Sequence, residues 1–113
     1  MALEIDFPDN TDDTCENAYL VIEPRLSNIN KMGFIELVIW RSKTHREKKK
    51  NCINRVNIPV YDKEEINSET GAVLSLANSD VSWLSGEDMY AKIKSLKIKV
   101  DDEIIDLSTS KDI

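Results

Sequence analysis

The stretch FIELVIWRSKTHREKKKNCINRVNIPV, residues 34–60, decides the fold. Its first seven residues are apolar except for Glu36, and β-branched and aromatic side chains dominate them. The run is too short for a convincing helix and well suited to a strand. At the other end Cys52, Val56, Ile58 and Val60 fall at even spacing, with Ile53 on the opposite face and polar Arg55 and Asn57 beside it. A strand, a charged connection and a return strand make a β-hairpin with a long basic tip. The first strand is apolar on both faces, with Phe34, Val38 and Trp40 on one and Ile35, Leu37 and Ile39 on the other. Such a strand belongs inside a sandwich or barrel, or in a sheet covered on its second face by helix or partner. Glu36 is the exception, expected near a rim or in an ion pair.

Upstream, AYLVI at residues 18–22 reads as another strand. Pro24 ends it or places it at a sheet edge, since proline cannot donate to a ladder. The NINKMG sequence at residues 28–33 is a turn, with Gly33 free to take a positive φ before the next strand. Further upstream, residues 1–17 read as an acidic N-terminal arm. Leu3, Ile5 and Phe7 alternate along it, so the arm suits strand addition to a neighbour's sheet, or a strand in its own.

Downstream of Val60, YDKEEI has the composition for one helical turn. Residues 67–80 then make a long connection of the kind that is functional or docks on something. Ser85 and Asp88 resemble a capping box ahead of a short helix over residues 87–95. That helix sets Met89, Ile93 and Leu96 on one stripe, with Tyr90 beside it. Trp83, at its entrance, is expected to staple it to the sheet. Leu96, Ile98 and Val100 alternate with Lys97 and Lys99 in a half-buried strand, an acidic turn follows, and residues 104–107 return. Residues 108–113 read as a loose C-terminal tail. The expected architecture is α+β: a mainly antiparallel sandwich or barrel-like sheet over residues 18–107, with a long basic hairpin and one short helix.

At 113 residues the chain is one domain, and 41% apolar with 32% charged residues is the balance of a folded protein. Its charge is unevenly divided: −7 over residues 1–24, +7 over 25–55 and −6 over 56–113, for a net −6. An acidic protein with one concentrated basic segment suits packing between copies at least as well as binding to nucleic acid. No run approaches a membrane span, and the acidic N-terminus lacks the pattern of a signal peptide. That points to a cytoplasmic chain, or one assembled there into something larger, with Cys15 and Cys52 reduced.

Catalytic chemistry finds little support. Three glycines, at 33, 71 and 86, cannot assemble a phosphate loop. The single histidine, His45, lies in the charged tip, where a solvated ring is expected rather than a base oriented toward either cysteine. Zinc spacing is absent. Acid pairs such as Asp12-Asp13, Glu64-Glu65 and Asp101-Asp102 lack the apolar flanks that would raise a carboxylate's pKa. The reading is no enzyme, no metal, no cofactor, no small-molecule substrate and no membrane. The live candidates are contact residues: Trp40, Arg41, Lys43, Arg46, Lys48, Lys49 and Lys50 around the basic tip, with Leu3, Ile5 and Phe7 on the arm. The tip is either a solvated loop, a surface for docking on an acidic neighbour, or a contact for phosphates, though without the interleaved aromatics that stack bases.

The order of segments over residues 18–66 carries a resemblance. A strand (AYLVIEPRL), a turn, a strand ending in an aromatic (FIELVIW), a tip (RSKTHREKKK), a return strand (INRVNIPV) and an acidic turn (YDKEE) follow one another. This layout resembles small structural proteins of tailed bacteriophages, whose short β-rich domains assemble into tail, neck or baseplate. The resemblance implies a non-enzymatic virion subunit that works as one copy in a symmetric or stacked homo-oligomer, or with other virion proteins. The rivals are a soluble adaptor or inhibitor module, then a nucleic-acid-binding protein using the basic hairpin.

Overall fold

The computed structural model describes residues 2–8, 14–48, 52–81, 83–100 and 102–113. In chain order the elements are β1 (Leu3–Pro8), β2 (Thr14–Leu26), β3 (Gly33–Trp40), α1 (Lys43–Glu47), β4 (Asn54–Tyr61), β5 (Glu65–Ile66), β6 (Val73–Ala77), α2 (Asn78–Val81), α3 (Gly86–Lys94), β7 (Lys97–Val100), β8 (Glu103–Asp106), a 3-10 turn (Leu107–Thr109) and β9 (Lys111–Asp112). Strand dominates and helices are few, an α+β composition. A seven-stranded sheet runs in the order β5-β6-β4-β3-β2-β1-β9, and β7 and β8 form a separate two-stranded sheet. Within the large sheet β4 and β6 are parallel, and the other pairs are antiparallel.

The expected hairpin is the centre of this sheet. β3 pairs with β4 from Gly33↔Val60 to Ile39↔Asn54, and with β2 from Leu26↔Gly33 to Tyr19↔Trp40. Period-2 alternation sends Ala18, Leu20 and Ile22 of β2, Ile35, Leu37 and Ile39 of β3, and Ile58 and Val60 of β4 to one face, all buried in a single core. Facing them are Met89, Tyr90 and Ile93 of α3, Ile98 and Val100 of β7, Ile105 of β8, and Leu107. The sheet thus forms one layer, and α3 with β7–β8 the other. Each fully buried Leu or Ile contributes about 1.5–3 kcal/mol relative to its exposure, so this face carries most of the stability.

Local chemistry sets the bends. Gly33 adopts φ +150°, and a Cβ there would stand 2.2 Å from the Arg25 carbonyl oxygen, so the turn into β3 requires glycine. In β2 an extra residue opposite the step from Ile5 to Phe7 makes a bulge. Asn17 takes the left-handed conformation there (φ 56°), and its N–H donates to Asp6 Oδ1 at 3.0 Å. Past Leu20, β2 outruns β1. On that open side the Ile22 N–H donates to the Tyr90 hydroxyl at 3.0 Å. Pro24, two residues on, turns its nitrogen to the same side, where no strand needs a donor. The Ser85 side chain caps α3 by accepting from the Asp88 N–H while donating to Asp88 Oδ2 at 3.0 Å. The expected N-cap is present, with the Asp88 carboxylate returning to the Ser85 hydroxyl.

Four expectations need correction. The described residues of the expected arm, 2–8 and 14–17, are not free, because Leu3, Ile5 and Phe7 lie on β1, hydrogen-bonded to β2 and buried in the chain's own core. Alternation marked the strand correctly, and burying three large apolar side chains at home outweighs holding them out for a neighbour. Residues 108–113 are not a loose tail: β9 pairs with β1 at Leu3↔Asp112 and Glu4↔Lys111. Trp83 does not staple α3; it is 72% exposed, and its Nε1 donates to the Ser79 carbonyl at 2.8 Å. Residues 62–66 bend into β5 instead of forming a helical turn. The long connection after them contains β6, whose Ser75 Oγ donates to the Lys63 carbonyl and satisfies the bend.

Candidate interaction surface

The outer face of the large sheet turns away from the main core. Its side chains come from the opposite parity: Tyr19 and Val21 of β2, and Phe34, Glu36, Val38 and Trp40 of β3. A small apolar cluster of Ala2, Tyr19, Val21 and half-buried Trp40 sits at one end, with Val38 buried beside it. Toward the middle the face is polar. Arg55 donates to Glu36 at 2.8 Å and Arg25 to Glu23 at 3.0 Å, so Glu36 is paired as expected. Cys52 and then Glu36 push the Arg55 guanidinium above its ordinary pKa. It is cationic at every physiological pH.

The basic segment lies over the aromatic end of this face. Ser42 caps α1, accepting from the His45 N–H at 3.2 Å, and its Oγ also lies 2.7 Å from His45 Nδ1. One helical turn then aims Arg46 back at the sheet, its guanidinium 5.4 Å from the Trp40 ring centroid and 6.0 Å from that of Tyr19. A cation over two aromatic faces is worth about 0.5–1 kcal/mol at an exposed site. Residues 41–48 of the connection therefore do not project as a flexible hairpin tip. They fold back because Trp40 and Tyr19 offer a flat apolar seat that guanidinium covers better than water does. His45, expected to be solvated, is half-buried against its cap.

The contact residues named from the sequence divide accordingly. Trp40 and Arg46 are brought together. Arg41, Lys43 and Lys48 are exposed around α1, with Lys43 Nζ 4.0 Å from Glu47 Oε1. The Arg41 carbonyl accepts from Cys15 Sγ at 3.8 Å, which ties the start of the segment to β2. Lys49 and Lys50 lie outside the described residues. Leu3, Ile5 and Phe7 belong to the core and not to this surface. Sequence reasoning missed Tyr19, although its signal was present: in AYLVI, Tyr19 alternates with the core-facing Leu20. No described helix is long and apolar enough to cross a membrane.

Comparisons of the chain with protein-family models, curated proteins and solved structures found no match.

Proposed function

We propose that this chain is a non-enzymatic structural subunit of a phage virion, in tail, neck or baseplate, working through contacts with further copies or with other virion proteins. The observation that supports the reading is the seating of Arg46 on Trp40 and Tyr19. It holds a cationic turn in one place on a protein whose net charge is −6. A charge cluster fixed before docking loses less conformational freedom on binding than a mobile loop. Its complement is an acidic surface, which every further copy carries. In this reading the two sheets are the layers of a small sandwich, and the outer face with α1 is the side turned to the neighbour.

Light scattering on purified protein at low and high salt tests the proposal. We expect association that rises with concentration and weakens as salt screens the contact. Lys43→Glu with Lys48→Glu should abolish association while leaving thermal stability within about 0.5 kcal/mol, since both side chains are exposed. A monomer at every concentration and salt, alone and with acidic subunits from the same assembly, would sink the proposal. Salt-sensitive binding to duplex DNA that the same substitutions abolish would transfer the surface to nucleic-acid recognition.

A further inference from the structure

A cleft of about 440 Å³ opens on the side of the molecule where β1 and β8 approach each other. Glu4, Ile5, Asp6 and Pro8 of β1, with Thr14 and Asn17 of β2 beside them, line one wall, and all four residues of β8 (Glu103–Asp106) line another. Consecutive residues of a strand point to opposite faces, so a cavity that both parities reach takes in part of each strand's edge. β9 covers the β1 edge at Leu3 and Glu4, and among the described residues no strand pairs with residues 5–8 on that side. β8 pairs with β7 on its other side. Among the described residues no strand fills the space between them.

The charge of the cleft selects its occupant. Glu4, Asp6, Glu103 and Asp106 line it, against Lys111 as the cation. Two of these carboxylates are held in place: Asp6 accepts from the Asn17 N–H at 3.0 Å, and Asp106 accepts from the Ser108 hydroxyl at 2.6 Å and its N–H at 3.0 Å. The Ser108 bonds also hold the Asp106 carboxyl below its ordinary pKa, so it is ionised at neutral pH. Acids along an edge repel another edge of the same kind, a usual defence against self-pairing. The same edge of a second copy is thereby excluded. A strand carrying lysine or arginine at alternate positions is favoured, because it exchanges main-chain bonds with the edge while its cations meet the walls.

From this we infer that the cleft between β1 and β8 is a strand-acceptor site for an extended, basic segment of a partner protein. This goes beyond the proposed function, since its walls are β1 and β8 and not α1, and it stands without that reading.

Titration of 15N-labelled protein with the synthetic peptide acetyl-Lys-Val-Lys-Thr-Lys-Val-amide provides the test. The expected result is saturable amide shifts concentrated at residues 5–8 and 103–106. Alternate N-methylation of the peptide, which keeps its charge and removes donors, should weaken binding at least about tenfold. Glu4→Lys with Glu103→Lys should weaken it by a similar factor, with unchanged thermal unfolding. The Lys43→Glu, Lys48→Glu variant should bind as well as the parent. Equal affinity for the N-methylated peptide would reduce the site to bare charge attraction and overturn the inference. Shifts mapping elsewhere, or no binding at millimolar peptide, would overturn it too. So would concentration-dependent protection of the same amides in the protein alone, which would make a second copy the occupant.

Discussion

Tyr90 connects the two layers through a single atom. Its ring is buried in the core, and its hydroxyl accepts the Ile22 N–H on the side of β2 that β1 no longer covers. Tyr90→Phe keeps the packing and strands that donor, which costs about 1–3 kcal/mol. Chemical denaturation should show the loss, and the Ile22 amide should exchange faster than its neighbours. Burial raises the Tyr90 pKa above its ordinary value of 10.0. The unfolded chain therefore gives up this proton first, and the contribution of Tyr90 to stability, constant below pH 10, falls as pH rises beyond it. The Phe variant should lack that part of the alkaline decline. Gly33 is a second single-residue constraint. Gly33→Ala places a methyl carbon against the Arg25 carbonyl in a conformation L-residues avoid, and should cost at least about 1–3 kcal/mol. Unchanged thermal unfolding of that variant would refute the assignment of the turn.

Among the elements, α1 has the least local support. It is five residues long, far below the length at which an isolated helix is stable, and none of its residues is buried. Its Ser42 cap and the seat of Arg46 on Trp40 and Tyr19 hold it. Arg46→Ala should therefore release the turn at a cost of about 0.5–1 kcal/mol and expose Trp40. In a Trp83→Phe background Trp40 is the sole tryptophan, and its fluorescence should shift to the red; an unshifted spectrum would show that Arg46 does not cover it. The same elements show what could be read without coordinates. The hairpin, α3 with its Ser85 cap and the Leu96-to-Val100 strand announced themselves, because periodicity, capping and turn chemistry are local signals. The fold-back of α1 was hidden, since six cations within ten residues suggest solvation and the aromatic seat comes partly from Tyr19, far away in sequence. β6 was hidden because five residues flanked by Ser, Asn and Gly carry too little pattern, and its parallel pairing with β4 is set by the crossover. Trp83 misled because burial is the default for so large a ring, yet α2 turns it outward and Ser79 takes its N–H.

Over the whole molecule, charge is arranged around the sheet and not merely along the chain. The cations of α1 lie on the outer face, while acids line the cleft beyond β1. The uneven division visible in sequence thus becomes two surfaces of opposite sign on one small body. Neither the cleft nor its open edges could be foreseen, because they depend on β1, β8 and β9 meeting from both ends of the chain. The two surfaces make separable predictions: salt and the α1 substitutions govern association, whereas the cleft substitutions govern peptide binding.

The brevity of β9 sets the length of anything that lies along β1. Its two residues close the edge at Leu3 and Glu4, and the 3-10 turn before it carries the chain away. An incoming segment would run end to end with β9 and halt against that turn, so its register would be fixed by a mechanical stop rather than by matched side chains. Two more residues on β9 would shorten the available track by half; deleting β9 would extend it to the start of the strand. The two residues of β9 therefore work as a ruler.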